Sequence, residues 1–179
     1  GEPADARRLE ALDGLGVACI EQPLDPDDLL GHVELARRLA TPVCLDESLT
    51  SPAATRQALD LGACSVVCVK GPRYGSWLAA AAVLDHCLGL GIDAWVGGML
   101  DTGIGRRANV ALAAHAGATL PGDVSATDRF FTADVSPPVV VDGAPRRGTV
   151  AVPDGPGLGA PVDPDELERL TLHVEVVGR

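Results

Sequence analysis

Residues 42–70 read PVCLDESLTSPAATRQALDLGACSVVCVK. A short apolar run ends on Asp46, a segment of helical spacing follows, and a second apolar run ends on Lys70. Ser51 before Pro52 marks a helix start and Gly62 a helix stop. Two runs too short for helices, joined by an amphipathic segment, describe a strand, a crossover helix and a parallel strand.

The same unit recurs in both directions. Strands are expected at residues 17–21, 42–46, 65–70, 92–97 and 118–122. Helices are expected at 27–39, 51–61, 76–90 and 103–116, with Gly62, Gly91 and Gly117 as C-caps. A further helix is expected at 5–12, with no strand before it. A repeat of this kind suits an α/β fold of the (β/α)8 TIM-barrel type. Five units against the roughly 250 residues of a complete barrel leave about three strands unaccounted for. Periodicity alone leaves a doubly wound open sheet as the competing architecture. From Phe130 the repeat stops, and residues 139–141 and 149–152 read as short strands leading into Pro153-Asp154-Gly155-Pro156-Gly157-Leu158-Gly159. The expected organisation is therefore a partial barrel over 1–129 and an irregular or β tail over 130–179.

Composition narrows the class. The 179 residues, 46% apolar, suffice for one sizeable core. A formal charge of −11 and a pI near 4.6 argue against nucleic acid or an anionic membrane as partner. No stretch reaches the roughly 20 apolar residues of a membrane span, and no leader is evident at the amino terminus. The five cysteines form no C-x-x-C pair, and Cys19, Cys44, Cys64 and Cys68 lie in apolar runs. They are expected to be reduced and packed inside, as in a cytoplasmic protein.

The chemistry lies in a repeated position. Glu21, Asp46 and Lys70 each close a successive apolar run, at intervals of 25 and 24 residues, and Cys19, Cys44 and Cys68 stand two places before them in the same strand phase. Carboxyl ends of barrel strands converge on one face, where barrel active sites sit, so three charges from distant segments are expected to meet there, above a layer of small side chains. Two carboxylates with no histidine or cysteine at ligand spacing suit a hard cation, Mg2+ or Mn2+, better than zinc. Such an ion acts as a Lewis acid on a substrate carboxylate and acidifies its α-proton. Lys70, buried beside a cation, is expected to have a lowered pKa and to exchange protons with carbon.

Three segments, Ile20-Glu21-Gln22-Pro23-Leu24, Cys44-Leu45-Asp46-Glu47-Ser48 and Trp95-Val96-Gly97-Gly98-Met99-Leu100-Asp101-Thr102-Gly103-Ile104-Gly105-Arg106, together with Leu120-Pro121-Gly122-Asp123, resemble the o-succinylbenzoate synthase and N-acylamino acid racemase family of the enolase superfamily. The resemblance runs in order over nearly the whole chain. It implies the carboxyl-terminal part of the barrel, about strands 4 to 8. Glu21 and Asp46 match metal ligands, Lys70 matches the acid/base lysine, Gly98 and Met99 match backbone lining the substrate pocket, and Glu47 is similar to a residue beside the metal. The implied reaction is metal-dependent dehydration of a cyclohexadiene carboxylate to o-succinylbenzoate, in menaquinone biosynthesis, through an enediolate. Racemisation of N-acylamino acids needs the same metal and two opposed lysines. The family's K-x-K strand, a further metal-binding Asp and a capping domain have no counterpart and are expected before Gly1. Asp101 stands where the family usually has Glu, and Lys70-Gly71-Pro72-Arg73 replaces Lys-Pro-Gly-Arg.

A second reading, a catalytically silent barrel fragment that associates through exposed sheet edges, is the alternative to an enzyme acting on a small carboxylate. His32, His86, His115 and His173 are expected to be surface or capping residues. Asp123, Asp128 and Arg129 follow the last expected strand on the active face. The acidic runs 25–28 and 163–168 suit helix N-termini, and Gly155 to Gly159 lacks the context of a phosphate loop.

Overall fold

A computed structural model of the chain describes residues 8–143 and 148–178. Four strands, β1 (Ile20–Glu21), β2 (Val43–Leu45), β3 (Val66–Val69) and β4 (Asp93–Val96), form one parallel sheet in the order β1-β2-β3-β4. Helices α1 (Leu29–Arg38), α2 (Pro52–Leu61) and α3 (Trp77–Leu90) make the three crossovers. Each crossover advances one strand in the same direction, as a barrel requires, whereas a doubly wound sheet reverses at a switch point. The barrel architecture therefore holds.

Local chemistry explains the boundaries. Asp28, Ser51 and Ser76 cap the three helices, their side-chain oxygens accepting from the N–H groups of Gly31, Ala54 and Ala79. Gly62 and Gly91 end α2 and α3 at φ of 73° and 69°, in the left-handed region that a Cβ disfavours. Gly117 is not a third cap. A Cβ there would lie 2.3 Å from the Leu84 carbonyl oxygen, so close backbone approach requires glycine. All of Val66 to Val69 is buried, as expected of a strand covered on both faces. By alternation Cys44, Val66 and Cys68 share one face and cluster with Cys19, Trp95 and Leu120.

The fifth expected strand does not form a ladder. Residues 118–122 run beside β4, with Leu120 N–H donating to Ala94 O and Asp123 N–H to Val96 O, but Pro121 between them has no N–H to give. Of the expected helix at 5–12, residues 5–7 lie outside the described residues, while 8–10 are helical.

The chain divides into two compact units, Gly1–Gly97 with Leu112–Asp123, and Gly98–Ala111 with Val124–Arg179. The sheet belongs to the first. The second holds helix α4 (Gly103–Ala113) except its last two residues, and helix α5 (Pro164–Leu170). Within it Gly103 N–H donates to the Asp134 carboxylate, Arg107 Nη2 to Pro137 O at 2.7 Å and Asp163 N–H to Val135 O at 2.8 Å. Among the described residues, the short strands expected at 139–141 and 149–152 reduce to one antiparallel bridge, Asp142 with Thr149.

Candidate metal and proton-transfer site

Glu21 is the last residue of β1, Asp46 directly follows β2 and Lys70 directly follows β3. The register pairs Glu21 with Cys44 and Cys44 with Val66, which sets all three charges at the carboxyl edge of the sheet. Lys70 Nζ donates to Asp46 Oδ2 at 2.5 Å. Ligand atoms of Glu21, Asp46 and Cys68 all lie within 4.8 Å of one another. The three residues singled out by their repeat thus meet in space. Gly98 and Met99 belong to the second unit. There Met99 N–H donates to Asp101 Oδ2 and its carbonyl accepts from Arg106 Nη2, while Asn109 Nδ2 also donates to Asp101. Arg106 and Asn109 are buried, so this anchor pins the backbone of the Gly98-Met99 segment.

Electrostatics differ across the site. Asp46 is 2% exposed, and burial alone pushes its carboxyl up. Hydrogen bonds and charge from Lys70 and Arg73 outweigh that and hold it below the ordinary carboxylate range. Glu21 is more open by area, yet partial desolvation first, then repulsion from Asp46 and further from Glu47 and Asp123, raise it against the opposing pull of Lys70. Glu21 therefore carries negative charge that nothing nearby fully compensates, which is what a cation would relieve.

Lys70 departs from expectation. Burial lowers its pKa, but the Asp46 hydrogen bond and charge outweigh burial, and Lys70 stands above its ordinary value. Its charged form is the one present beside Asp46.

Three participants escaped the sequence reading. Arg73, on the turn Gly71–Tyr74, donates through Nη1 to the Asp46 carboxylate, and to its backbone oxygen at 2.5 Å. Gln22 accepts at Oε1 from Asp46 N–H and Ser48 N–H and donates to Ser48 Oγ at 2.8 Å, from a backbone at φ 38°. Cys68, expected to pack inside, is fully buried in the apolar cluster with Cys44 and Val66, and its sulfur also lies within 4.8 Å of ligand atoms of Glu21 and Asp46, since it shares the phase of Lys70 one layer below. That shared phase was the signal available. His32, expected to be a surface or capping residue, is instead fully buried, with Leu24 N–H donating to Nε2 and Nδ1 2.8 Å from Asp28 O.

The sequence matches the Enolase C-terminal domain-like family over residues 2–166. It is 50% identical to an N-succinylamino acid racemase of Amycolatopsis over 97% of this chain and 46% of that protein. It is 41% identical to the o-succinylbenzoate synthase of Geobacillus kaustophilus over 98% of this chain and 46% of that one. A solved structure described as a probable mandelate racemase from Alicyclobacillus acidocaldarius superposes with a TM-score of 0.89 at 36% identity, covering 97% of this chain and 45% of its own. The chain thus spans just under half the length of the relatives it matches.

Proposed function

Because the chain belongs to the Enolase C-terminal domain-like family, we propose that it is the carboxyl-terminal barrel part of a metal-dependent enzyme that dehydrates a cyclohexadiene carboxylate to o-succinylbenzoate, with residues 1–129 as barrel and 130–179 as tail. The observation that carries this reading is the convergence of Glu21, Asp46 and Lys70 at one sheet edge. Oxygen donors and the uncompensated charge at Glu21 fit Mg2+ or Mn2+, held by Glu21 and Asp46. When bound, that cation acts as a Lewis acid on the substrate carboxylate and makes its α-proton more acidic.

The chain's own residues do the rest. Lys70 Nζ exchanges the α-proton: as the ammonium held by Asp46 it is the donor, and to act as acceptor it must leave Asp46 and first give a proton to solvent. Arg73 keeps Asp46 ionised and oriented. Within the second unit, the Gly98-Met99 segment is stiffened by Asp101 and Arg106. The five free thiols agree with a cytoplasmic setting.

A second reading, racemisation of N-acylamino acids, is favoured by the 50% identity to the racemase and uses the same groups with an opposing lysine. Purified chain with Mg2+ is tested for loss of the succinyl-hydroxycyclohexadiene carboxylate and, by polarimetry, for racemisation of N-succinylamino acids, each against Lys70→Ala. Activity abolished in a folded Lys70→Ala supports the proton-transfer role, and the faster substrate decides between the two reactions. Mg2+ binding with neither activity supports a silent fragment. Activity retained in Lys70→Ala overturns the assignment of Lys70.

A further inference from the structure

We propose that His32 is a positioning residue for the cation: from the first turn of α1 it holds the loop that carries Gln22, and Gln22 fixes Asp46 opposite Glu21. This rests on the metal-holding role proposed for the two carboxylates. Every residue it uses lies in the first unit.

Hydrogen bonds fix the tautomer of the ring. Leu24 N–H, at 3.3 Å, can only donate, so Nε2 is an acceptor. Nδ1 then carries the proton of the neutral imidazole and donates to Asp28 O at 2.8 Å. Nε2 also lies 3.4 Å from Gln22 Nε2. From a fully buried position the ring therefore ties the start of α1, at Asp28, to the residues just past β1, Gln22 and Leu24.

Gln22 carries the constraint across to the next strand. Its Oε1 accepts from Asp46 N–H at 3.0 Å and from Ser48 N–H at 3.2 Å, and these two donors set which end of the amide faces the end of β2. The other end, Nε2, donates to Leu24 O at 3.2 Å and to Ser48 Oγ at 2.8 Å. Ser48 Oγ donates onward to Pro26 O at 2.9 Å, which closes the brace on the same loop that His32 holds. Gln22 sits at φ 38°, a conformation that persists in a non-glycine residue only where its surroundings impose it. Asp46 hangs from this brace by its own N–H, and Glu21 is the residue before Gln22. A displaced Gln22 amide therefore changes the separation of the two carboxylates.

Packing alone does not call for a histidine here. An apolar side chain of similar bulk would fill the space without the cost of burying two ring nitrogens. What the imidazole adds is an acceptor for Leu24 N–H and a donor to Asp28 O, one at each end of the loop.

The test reads Mn2+ affinity of the folded chain by electron paramagnetic resonance. His32→Leu keeps comparable bulk and removes both bonds. It should weaken Mn2+ by about 10- to 100-fold, the range for losing an outer partner of a metal ligand. His32→Gln returns an acceptor near the position of Nε2 and should recover most of the affinity. Val33→Ala, buried on the same helix but outside the brace, should lose stability and keep the Mn2+ affinity of wild type. In a Gln22→Ala background His32→Leu should add little further loss, because residues that act through one network are not additive. Wild-type affinity in folded His32→Leu overturns the inference and leaves the carboxylate site standing. So does His32→Gln as weak as His32→Leu, an equal loss in Val33→Ala, or losses from His32→Leu and Gln22→Ala that simply add. If His32→Leu does not fold, Ser48→Ala takes its place at the far side of the brace, and unchanged Mn2+ affinity there overturns the inference. No Mn2+ binding in wild type removes the carboxylate site itself, and the inference with it.

Discussion

Gln22 shows how a single side chain ties the two candidate ligands together. It follows Glu21 directly, and its amide oxygen accepts the backbone N–H groups of Asp46 and Ser48 across the strand ends. Its φ of 38° is unusual for a non-glycine residue and is held by these bonds. Gln22→Ala should cost about 1–3 kcal/mol in urea unfolding, because it leaves donors at the strand end without partners. Mn2+ affinity should fall with it, while Gln22→Glu restores acceptance and most of the stability. His32 makes a second case. Burial, opposed by its bond to Asp28 O, lowers its pKa from 6.5, so the folded state favours neutral imidazole. Its contribution is fully present above 6.5 and is lost as pH falls from there through the depressed folded value. Denaturant midpoints measured from pH 8 to about pH 5 should decline, and His32→Gln should flatten that part of the slope.

At the scale of elements, the strand ends do the positioning and the glycines beside them set the spacing. Gly97 extends β4, its N–H donating to Val69 O at 3.0 Å. Gly97→Ala should cost about 1–3 kcal/mol by overpacking, with Lys70 yielding before the buried Cys68 does. Lys70 would then be displaced from Asp46, and the variant should lose proton transfer more than it loses fold, as activity set against the circular dichroism melt would show. Gly117→Ala meets the Leu84 backbone oxygen, which cannot rotate away. It should destabilise more than Gly97→Ala without touching the metal, a contrast that Mn2+ titration of both variants measures. Loss of Mn2+ binding in Gly117→Ala alone would break this assignment.

For the molecule as a whole, unpaired surface governs behaviour. Among the described residues β1 pairs only with β2, and the approach to it exposes Leu15 and Val17. In the second unit Leu172, Val174 and Val176 are 100%, 72% and 89% exposed, in a stretch outside helix and strand. Open edges and apolar rows of this kind promote association. Sedimentation should show concentration-dependent self-association, and replacing Leu172, Val174 and Val176 by Lys should reduce it; an unaltered profile would assign the association to the β1 edge. How far all this could be read in advance differs by feature. The parallel βα architecture was legible from apolar runs near 25 residues apart, and Glu21, Asp46 and Lys70 from their common phase, since strand ends in a barrel must converge. Periods and phases are properties of the chain alone. The partners of those charges were not legible. Arg73 reaches Asp46 only because the turn after β3 brings it round, and the resulting ion pairs raise Lys70 where burial alone predicted lowering. The burial of His32 and the approach of Cys68 to the carboxylates are likewise distances across strands and loops. Pairwise electrostatics fall off over a few ångströms, so their sign is decided by folded neighbours that linear spacing does not contain.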